Sequence, residues 1–492
     1  MSMIDVKNLS FAYEGSYENI FENVSFRIDT DWKLGFTGRN GRGKTTFLKL
    51  LAGEYPYQGT ITASVEFEYF PYAVEDENAI TMDIISAMLG NFENWRLMLE
   101  LNQLEVSEDV LYRPFSTLSN GERTKILLAA LFLRENGFLL IDEPTNHLDA
   151  SARETVSRYL SSKNGFILVS HDRTFLDNCV DHIMSINKTD IEIQRGSFSS
   201  WQRNRELRDG FEAAENERLK KDVKRLDAAA KQKAAWSDRV EETKRGSRNS
   251  GLRVDTGYVG HKSAKLMKRS KSIEARRQDE LEQKSKLLKN AEDRDELRLV
   301  TLKYHSERLA ELRNVCIYYG GKAVCEGISF EIRQGDRIAL CGKNGSGKSS
   351  ILKLVSGEPL EYTGELYRGS RLLISYVSQE TSFLSGRLSD YADKRGLDDS
   401  LFRTMLRKLD FSRAQFEKNM ADYSGGQKKK VLLAASLSQK AHLYIWDEPL
   451  NFVDVISRIQ IEELLLEYKP TLLFVEHDKA FCENVATKTV ML

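Results

Sequence analysis

The sequence predicts an α/β fold built twice, as two tandem copies of one strand–loop–helix domain joined by a long α-helical hairpin. Three observations predict it. First, blocks recur along the chain: residues 38–45 read GRNGRGKT and 342–349 read GKNGSGKS, 139–143 read LLIDE and 444–448 read YIWDE, and 170–172 read SHD and 476–478 read EHD, at offsets of 304, 305 and 306. Internal repetition of this kind means one supersecondary plan used more than once. Second, the apolar runs within each copy, such as Phe166–Val169 and Leu472–Val475, are short and bounded by polar residues, which suits buried parallel strands. Third, residues 201–245 contain no proline and a single glycine, Gly210, and are rich in Ala, Glu, Lys and Arg, as a long helix requires.

The boundaries follow: a first domain over 1–200, an interdomain helical hairpin over 201–305 and a second domain over 306–492. A chain of 492 residues exceeds what one core supports. Hydrophobic residues make up 41% and charged residues 29%, which separates the chain from disordered sequences. No run of about 18 apolar residues is present, so no membrane span is expected. The start, MSMIDVKNLSF, has no basic segment leading into an apolar one, and a cytoplasmic location is expected. Cys179, Cys316, Cys325, Cys341 and Cys482 are scattered without metal-site spacing and read as reduced thiols.

The glycine-rich loops carry the chemistry. Each lies between an apolar strand and an amphipathic stretch, the context a phosphate-binding P-loop needs. In the first copy the loop supplies Gly38, Asn40, Gly41, Gly43, Lys44, Thr45 and Thr46, and in the second Gly342, Asn344, Gly345, Gly347, Lys348, Ser349 and Ser350. Glycines let backbone N–H groups wrap a phosphate, and the helix that follows adds partial positive charge. Lys44 and Lys348 are expected to reach the β- and γ-phosphates of ATP, and the Thr45 and Ser349 hydroxyls to ligate Mg²⁺. Asp142 and Asp447 end apolar strands and complete the expected metal set. Glu143 and Glu448 follow them and are placed to polarise water as general bases. His171 and His477, each preceding Asp after the next strand, are expected to sense the γ-phosphate.

Leu118-Ser119-Asn120-Gly121-Glu122 and Tyr423-Ser424-Gly425-Gly426-Gln427 resemble the signature motif of the ABC ATPase superfamily. The resemblance implies two tandem ABC-type P-loop ATPase domains in which the signature of each closes over the P-loop of the other. Site one would join loop 38–45, Asp142, Glu143 and His171 to Ser424, Gly425, Gly426 and Gln427. Site two would join loop 342–349, Asp447, Glu448 and His477 to Ser119, Gly121 and Glu122. Tyr13 and Tyr319 precede the loops and are expected to stack on adenine. The family's glutamine after the next strand is Gln379 in the second copy (YVSQ), an expected metal ligand. The first copy has Tyr72 there (YFPY), and Asn120 stands where a signature glycine is usual. One departure therefore falls in each composite site.

The segment between the copies indicates a partner. Residues 211–290 hold 22 Lys+Arg and 13 Asp+Glu, a net of +9, which leaves −10 on the remainder of a chain whose net charge is −1. Leu219, Val223, Leu226 and Ala230 recur at spacings of 4, 3 and 4, a helical stripe. Residues 263–293 behave similarly, and four glycines within 246–260 mark a loop between the two helices. Residues 243–277 carry eleven Lys+Arg against Asp255 and Glu274. Arg245, Arg248, Arg253, Lys262, Lys265, Lys268, Arg269 and Lys271, with Tyr258 and His261 among them, form the expected RNA-binding tip.

Two fused cassettes joined by a long charged insert resemble the ABC-F family over the whole chain. Cys341–Ser350, Tyr444–Asn451 and the insert's Asp255-Thr-Gly…Lys268-Arg-Ser-Lys271 look like its Lsa-type resistance branch. That resemblance implies a bacterial ribosome as partner, through the E site, 23S rRNA and P-site tRNA. It also implies protection against lincosamides, pleuromutilins and group A streptogramins. The alternatives are a housekeeping translation factor of the same fold and, from another class, the ATPase subunit of an exporter.

Overall fold

The computed structural model describes residues 2–13, 19–146, 148–186, 191–208, 301–343 and 345–492, with 210, 211, 214, 218, 221 and 299. The chain divides into two compact units, one of Met1–Trp201 with Asp295–Leu492, the other of Gln202–Arg294. The expected RNA-binding residues between Arg245 and Lys271, the helical stripe and the hairpin loop lie outside the described residues, as does Asn344.

In the first cassette, β1 (Met3–Phe11), β2 (Phe21–Asp29) and β4 (Gln58–Thr62) form an antiparallel sheet. A second sheet has the order β5 (Glu66–Phe70), β6 (Gly137–Asp142), β7 (Phe166–Val169), β3 (Lys33–Thr37), β8 (His182–Ile186) and β9 (Ile191–Arg195) among the described residues. All its pairings are parallel except β8–β9. The helices include α1 (Lys44–Leu51), α2 (Thr81–Leu89), α3 (Asn94–Gln103), α4 (Asn120–Phe132), α5 (Ala150–Ser161) and α6 (Arg173–Cys179).

The second cassette repeats the plan. Strands β10 (Arg308–Tyr319), β11 (Lys322–Arg333) and β13 (Glu361–Arg368) are antiparallel. Strands β14 (Ile374–Val377), β15 (Leu443–Asp447), β16 (Leu472–Val475), β12 (Arg337–Cys341) and β17 (Lys488–Met491) form a parallel sheet in that order. Its helices are α7 (Lys348–Ser356), α8 (Leu388–Lys394), α9 (Asp399–Lys408), α10 (Gly425–Ser438), α11 (Val455–Tyr468) and α12 (Lys479–Val485).

Strands β7 and β16 are buried along their whole length, so they carry apolar residues on both faces. Parallel pairing aligns strand ends, and this builds the site. Asp142 is level with Val169 and Asp447 with Val475. The residue after each strand still bonds to the neighbouring strand, with Glu143 N–H donating to Val169 O at 2.9 Å and Glu448 N–H to Val475 O at 3.0 Å. His171 and His477 sit two residues beyond those valines, so carboxylates and histidine emerge side by side at the carboxyl ends of the strands. That edge is where open parallel sheets bind ligands. Gly43 and Gly347, at φ 91° and 86°, turn the chain into α1 and α7 through a left-handed conformation that a side chain would resist.

Among the described residues no helix is long and apolar enough to cross a membrane.

Candidate functional site

The two phosphate loops are built alike. The buried Lys44 Nζ donates to the carbonyls of Gly38 (2.7 Å) and Arg39 (3.2 Å) and to Asn40 Oδ1 (3.3 Å). Lys348 Nζ donates to the carbonyls of Gly342 and Lys343, both at 2.8 Å. Burial lowers the pKa of both lysines. Thr45 Oγ1 donates to Asp142 Oδ2 at 2.7 Å, and Ser349 Oγ to Asp447 Oδ1 at 3.1 Å. Each hydroxyl–carboxylate pair is a set of hard oxygens beside a phosphate loop. Such a set suits Mg²⁺, which takes one or two protein oxygens and completes its shell from phosphate and water. The described residues hold no cluster of three or more His, Cys, Asp or Glu that could hold a metal ion.

The two glutamates differ. Glu448 is well held: its Oε2 accepts from Gln379 Nε2 (2.8 Å) and Asn451 Nδ2 (2.6 Å), and its Oε1 lies 3.3 Å from His477 Nε2 in hydrogen-bond geometry. Burial pushes its pKa up, but His477, Gln379 and Lys429 outweigh that and leave it lowered. Glu143 lacks this support. His171 Nε2 comes within 3.2 Å of its Oε1, but off the hydrogen-bond line, so this buried oxygen has no hydrogen-bond partner. Burial, and then the charge of Asp142, raise Glu143 to about 8, while burial takes His171 well below its ordinary value. Both glutamates stand in the left-handed region, at φ 53° and 46°.

A stability test follows from these opposite shifts. Glu143 titrates at 4.5 ordinarily and at about 8 in the fold. Its contribution to stability is therefore complete below about pH 4.5 and is lost as pH rises through about 8. Glu143→Gln stays neutral and escapes that loss. Nucleotide-free Glu143→Gln should melt above the parent at pH 8, with the gap shrinking toward pH 5. Glu448→Gln discards a favoured charge and should melt below the parent at both pH values. Thermal melts of the two variants check both signs.

Tyr72, at the glutamine's position in the first cassette, packs against the apolar core and lines a groove with Phe70, Pro71, Asn120 and Arg123. In its stead Tyr69, three residues earlier, donates its phenol to Asp142 Oδ2 at 3.1 Å. Sequence reasoning missed Tyr69. The signal lay in the aligned Tyr376, whose buried hydroxyl has no hydrogen-bond partner. Tyr13 Oη pairs with Thr46 Oγ1 at 2.8 Å, and its ring meets Phe11 and Tyr55 edge-on. Tyr13 and Tyr319 are both exposed.

Each signature is a capping box. Ser119 Oγ accepts from Glu122 N–H while the Glu122 carboxylate takes Ser119 N–H at 2.8 Å, and Ser424 and Gln427 repeat the exchange. Asn120 opens α4 as its first residue without disturbing this cap.

The second signature meets the first phosphate loop. Asn40 Nδ2 donates to Phe452 O at 2.6 Å, and Gly426 is buried so closely beneath them that a Cβ there would stand 2.5 Å from Phe452 O and 3.2 Å from Asn40 Nδ2. Arg39 and Arg42 reach Asp410 at 3.5 and 3.7 Å. Below the second signature, Lys430 and Asp454 form a buried pair at 2.8 Å. Burial alone would raise Asp454, but Lys430 and then Lys44 hold it well below the usual carboxylate range. The matching contact at site two would involve Asn344, outside the described residues.

The comparisons agree with this architecture. A family model described as ABC transporter matches residues 21–146 and 325–451. The chain is similar to the ribosome protection protein VmlR of Bacillus subtilis, 28% identical over 98% of this chain and 85% of that protein. It is 30% identical to an ATP-binding protein Uup of Buchnera aphidicola, over 99% of this chain and 80% of that one. It is 25% identical to the energy-dependent translational throttle protein EttA of Haemophilus influenzae, over 95% and 88%. Among solved structures, that of the archaeal ribosome recycling factor aABCE1 with stalk protein aP1 shares the fold at a TM-score of 0.64 and 19% identity, covering 98% of this chain and 87% of that one. Two matched cassettes and relatives aligned along nearly the full chain show that this protein is an ATPase of the ABC-F family.

Proposed function

We propose that the protein is an ATP-dependent ribosome-protection factor, working in the cytoplasm as a clamp of two cassettes. The observation that carries the reading is the packing of Gly426 and Phe452 on Asn40, which brings the second signature against the first phosphate loop. Two ATP molecules bind between phosphate loop and opposing signature. Thr45 with Asp142, and Ser349 with Asp447 and Gln379, would hold Mg²⁺, which would supply charge neutralisation of the phosphates. Glu448 takes the proton of the attacking water, and His477 orients both glutamate and γ-phosphate. Glu143 and His171 do the same in site one, more slowly because Glu143 holds its own proton near neutral pH. Hydrolysis opens the clamp.

The partner is assigned on the similarity to VmlR along nearly the whole chain and on the +9 charge of residues 211–290, which suits rRNA and tRNA. In this reading the closed form docks at the E site of a bacterial ribosome. The basic insert, with its tip around Tyr258 and Lys262, rearranges the P-site tRNA and the drug pocket so that lincosamides, pleuromutilins and group A streptogramins leave. A second reading, a housekeeping translation factor, is favoured by the similarity to EttA.

The Glu143→Gln, Glu448→Gln protein should sediment with bacterial ribosomes only when ATP is present, because it closes and does not reopen. Failure to sediment in either condition removes both readings. Sedimentation with no change in lincosamide or pleuromutilin inhibitory concentration on expression of the parent leaves the housekeeping one.

A further inference from the structure

We infer that Arg153 is a positioning residue for the second ATP site, holding His477 against Glu448 from the opposite cassette. Arg153 stands in the first turn of α5. Its Nε donates to Leu148 O at 3.1 Å, and its Nη1 donates to Asp172 Oδ2, also at 3.1 Å. Asp172 is itself fastened, since its Oδ1 caps α6 by accepting from Phe175 N–H at 3.0 Å. The guanidinium is therefore set by two groups of its own cassette. Its side chain is only 14% exposed. From that position Nη1 makes a third bond, at 3.1 Å, to the backbone carbonyl of His477.

The His477 peptide is thus gripped at both ends. Its N–H donates to Glu476 Oε2 at 3.1 Å within its own cassette, and its carbonyl accepts from Arg153 in the other. The ring between these two anchors reaches Glu448 at 3.3 Å. Withdrawing Arg153 frees one anchor and lets the imidazole leave the glutamate, so the histidine contact of the site-two base is held only while the first cassette is packed there.

The mirror residue does not return the favour. Arg458 makes the corresponding bonds, Nε to Val453 O at 2.9 Å and Nη1 to Asp478 Oδ2 at 3.2 Å, but its remaining bond goes to Leu450 O at 2.9 Å, inside its own cassette. The repeat is broken at this bond. A second bond crosses from the same segment: Arg173, the residue after Asp172, bridges to Glu462 of the second cassette at 2.5 Å in a buried pair. Its counterpart Lys479 is exposed and pairs along its own helix with Glu483. Both of these bonds beside site two start from the first cassette, so control runs from it to site two.

The inference rests on the assignment of Glu143 and Glu448 as the two bases, and the test separates the two. In a Glu143→Gln background, where site two supplies the turnover, Arg153→Met should lower kcat about tenfold, the size expected for losing a charge-assisted bond, with the KM for ATP within about twofold of the parent. Arg153→Lys should recover most of the loss, because one ammonium can reach the two oxygens that Nη1 now serves. Arg153→Gln, too short for both, should not. In the Glu448→Gln background the loss from Arg153→Met should be at least about fivefold smaller. Should the Met variant fail to fold, the Lys and Gln pair carries the comparison. Equal losses at the two sites, a change in KM alone, or Lys no better than Gln would overturn the inference. If neither glutamate substitution by itself lowers turnover, the assignment of the bases fails and the inference falls with it. If both lower turnover while Arg153→Met leaves kcat intact, only the inference falls.

Discussion

Glu448→Gln should remove most of the steady-state ATP turnover, and Glu143→Gln a smaller part of it. A positioned general base contributes on the order of 10²-fold or more to a proton-transfer step, but only in its ionised form. Glu448 is kept ionised by His477, Gln379 and Lys429. Glu143 is raised to about 8 with one oxygen unpartnered. At pH 7 the remaining rate after Glu448→Gln should therefore be a minor fraction of the parent rate. That residual rate should climb between pH 7 and 9 as Glu143 loses its proton, because the deprotonated carboxylate is the active form. The rate left after Glu143→Gln should be nearly flat over the same range. Phosphate release from each single variant across that pH interval checks the order and the slope. Equal residual rates with equal slopes would show that the two carboxylates are equivalent in the working enzyme.

The second large effect is steric. Gly426→Ala should weaken site-one function about tenfold, measured as ATP turnover in the Glu448→Gln background. The added methyl would lie 2.5 Å from Phe452 O and 3.2 Å from Asn40 Nδ2, so a backbone carbonyl has to give way and the Asn40–Phe452 bond is lost with it. Overpacking of this kind costs about 1–3 kcal/mol, which corresponds to roughly tenfold or more in closure. At Gly121 the nearest atom to such a methyl is Leu148 Cδ2 at 3.7 Å, an ordinary contact. Gly121→Ala in the Glu143→Gln background should accordingly cause a smaller loss. A loss at Gly121 as large as that at Gly426 would mean both signatures pack equally tightly when ATP is bound.

Much of the site was legible in the chain because its parts are local. A P-loop is eight consecutive residues, and an Asp-Glu pair after an apolar run sits at a strand end whatever surrounds it. The repeat then doubled each observation. What stayed hidden depends on contacts between distant segments. The Arg153–His477 bond joins residues 324 positions apart, and nothing in the local sequence of either marks it. Tyr69 was hidden for another reason. Attention goes to the position of the absent glutamine, whereas the side chain that reaches Asp142 stands three residues earlier, and Tyr72 itself packs against the core. Nor could spacing foresee that Glu143 and Glu448, identical in motif, differ in ionisation, because Asn451 and Gln379 find one glutamate and no hydrogen bond reaches Oε1 of the other.

The left-handed backbone at Glu143 and Glu448 bears on how such a chain changes over generations. A non-glycine residue there carries of the order of 1–3 kcal/mol of strain. Glycine would relieve it, and asparagine would ease it, while abolishing the base. At these two positions, then, drift toward a more comfortable fold runs toward loss of hydrolysis. A phosphate-loop residue such as Lys44 is under no such pull, since its removal would leave the buried carbonyls of Gly38 and Arg39 without their donor. A chain that turns over ATP at both sites, as proposed, has to keep glutamate at these two positions against that strain.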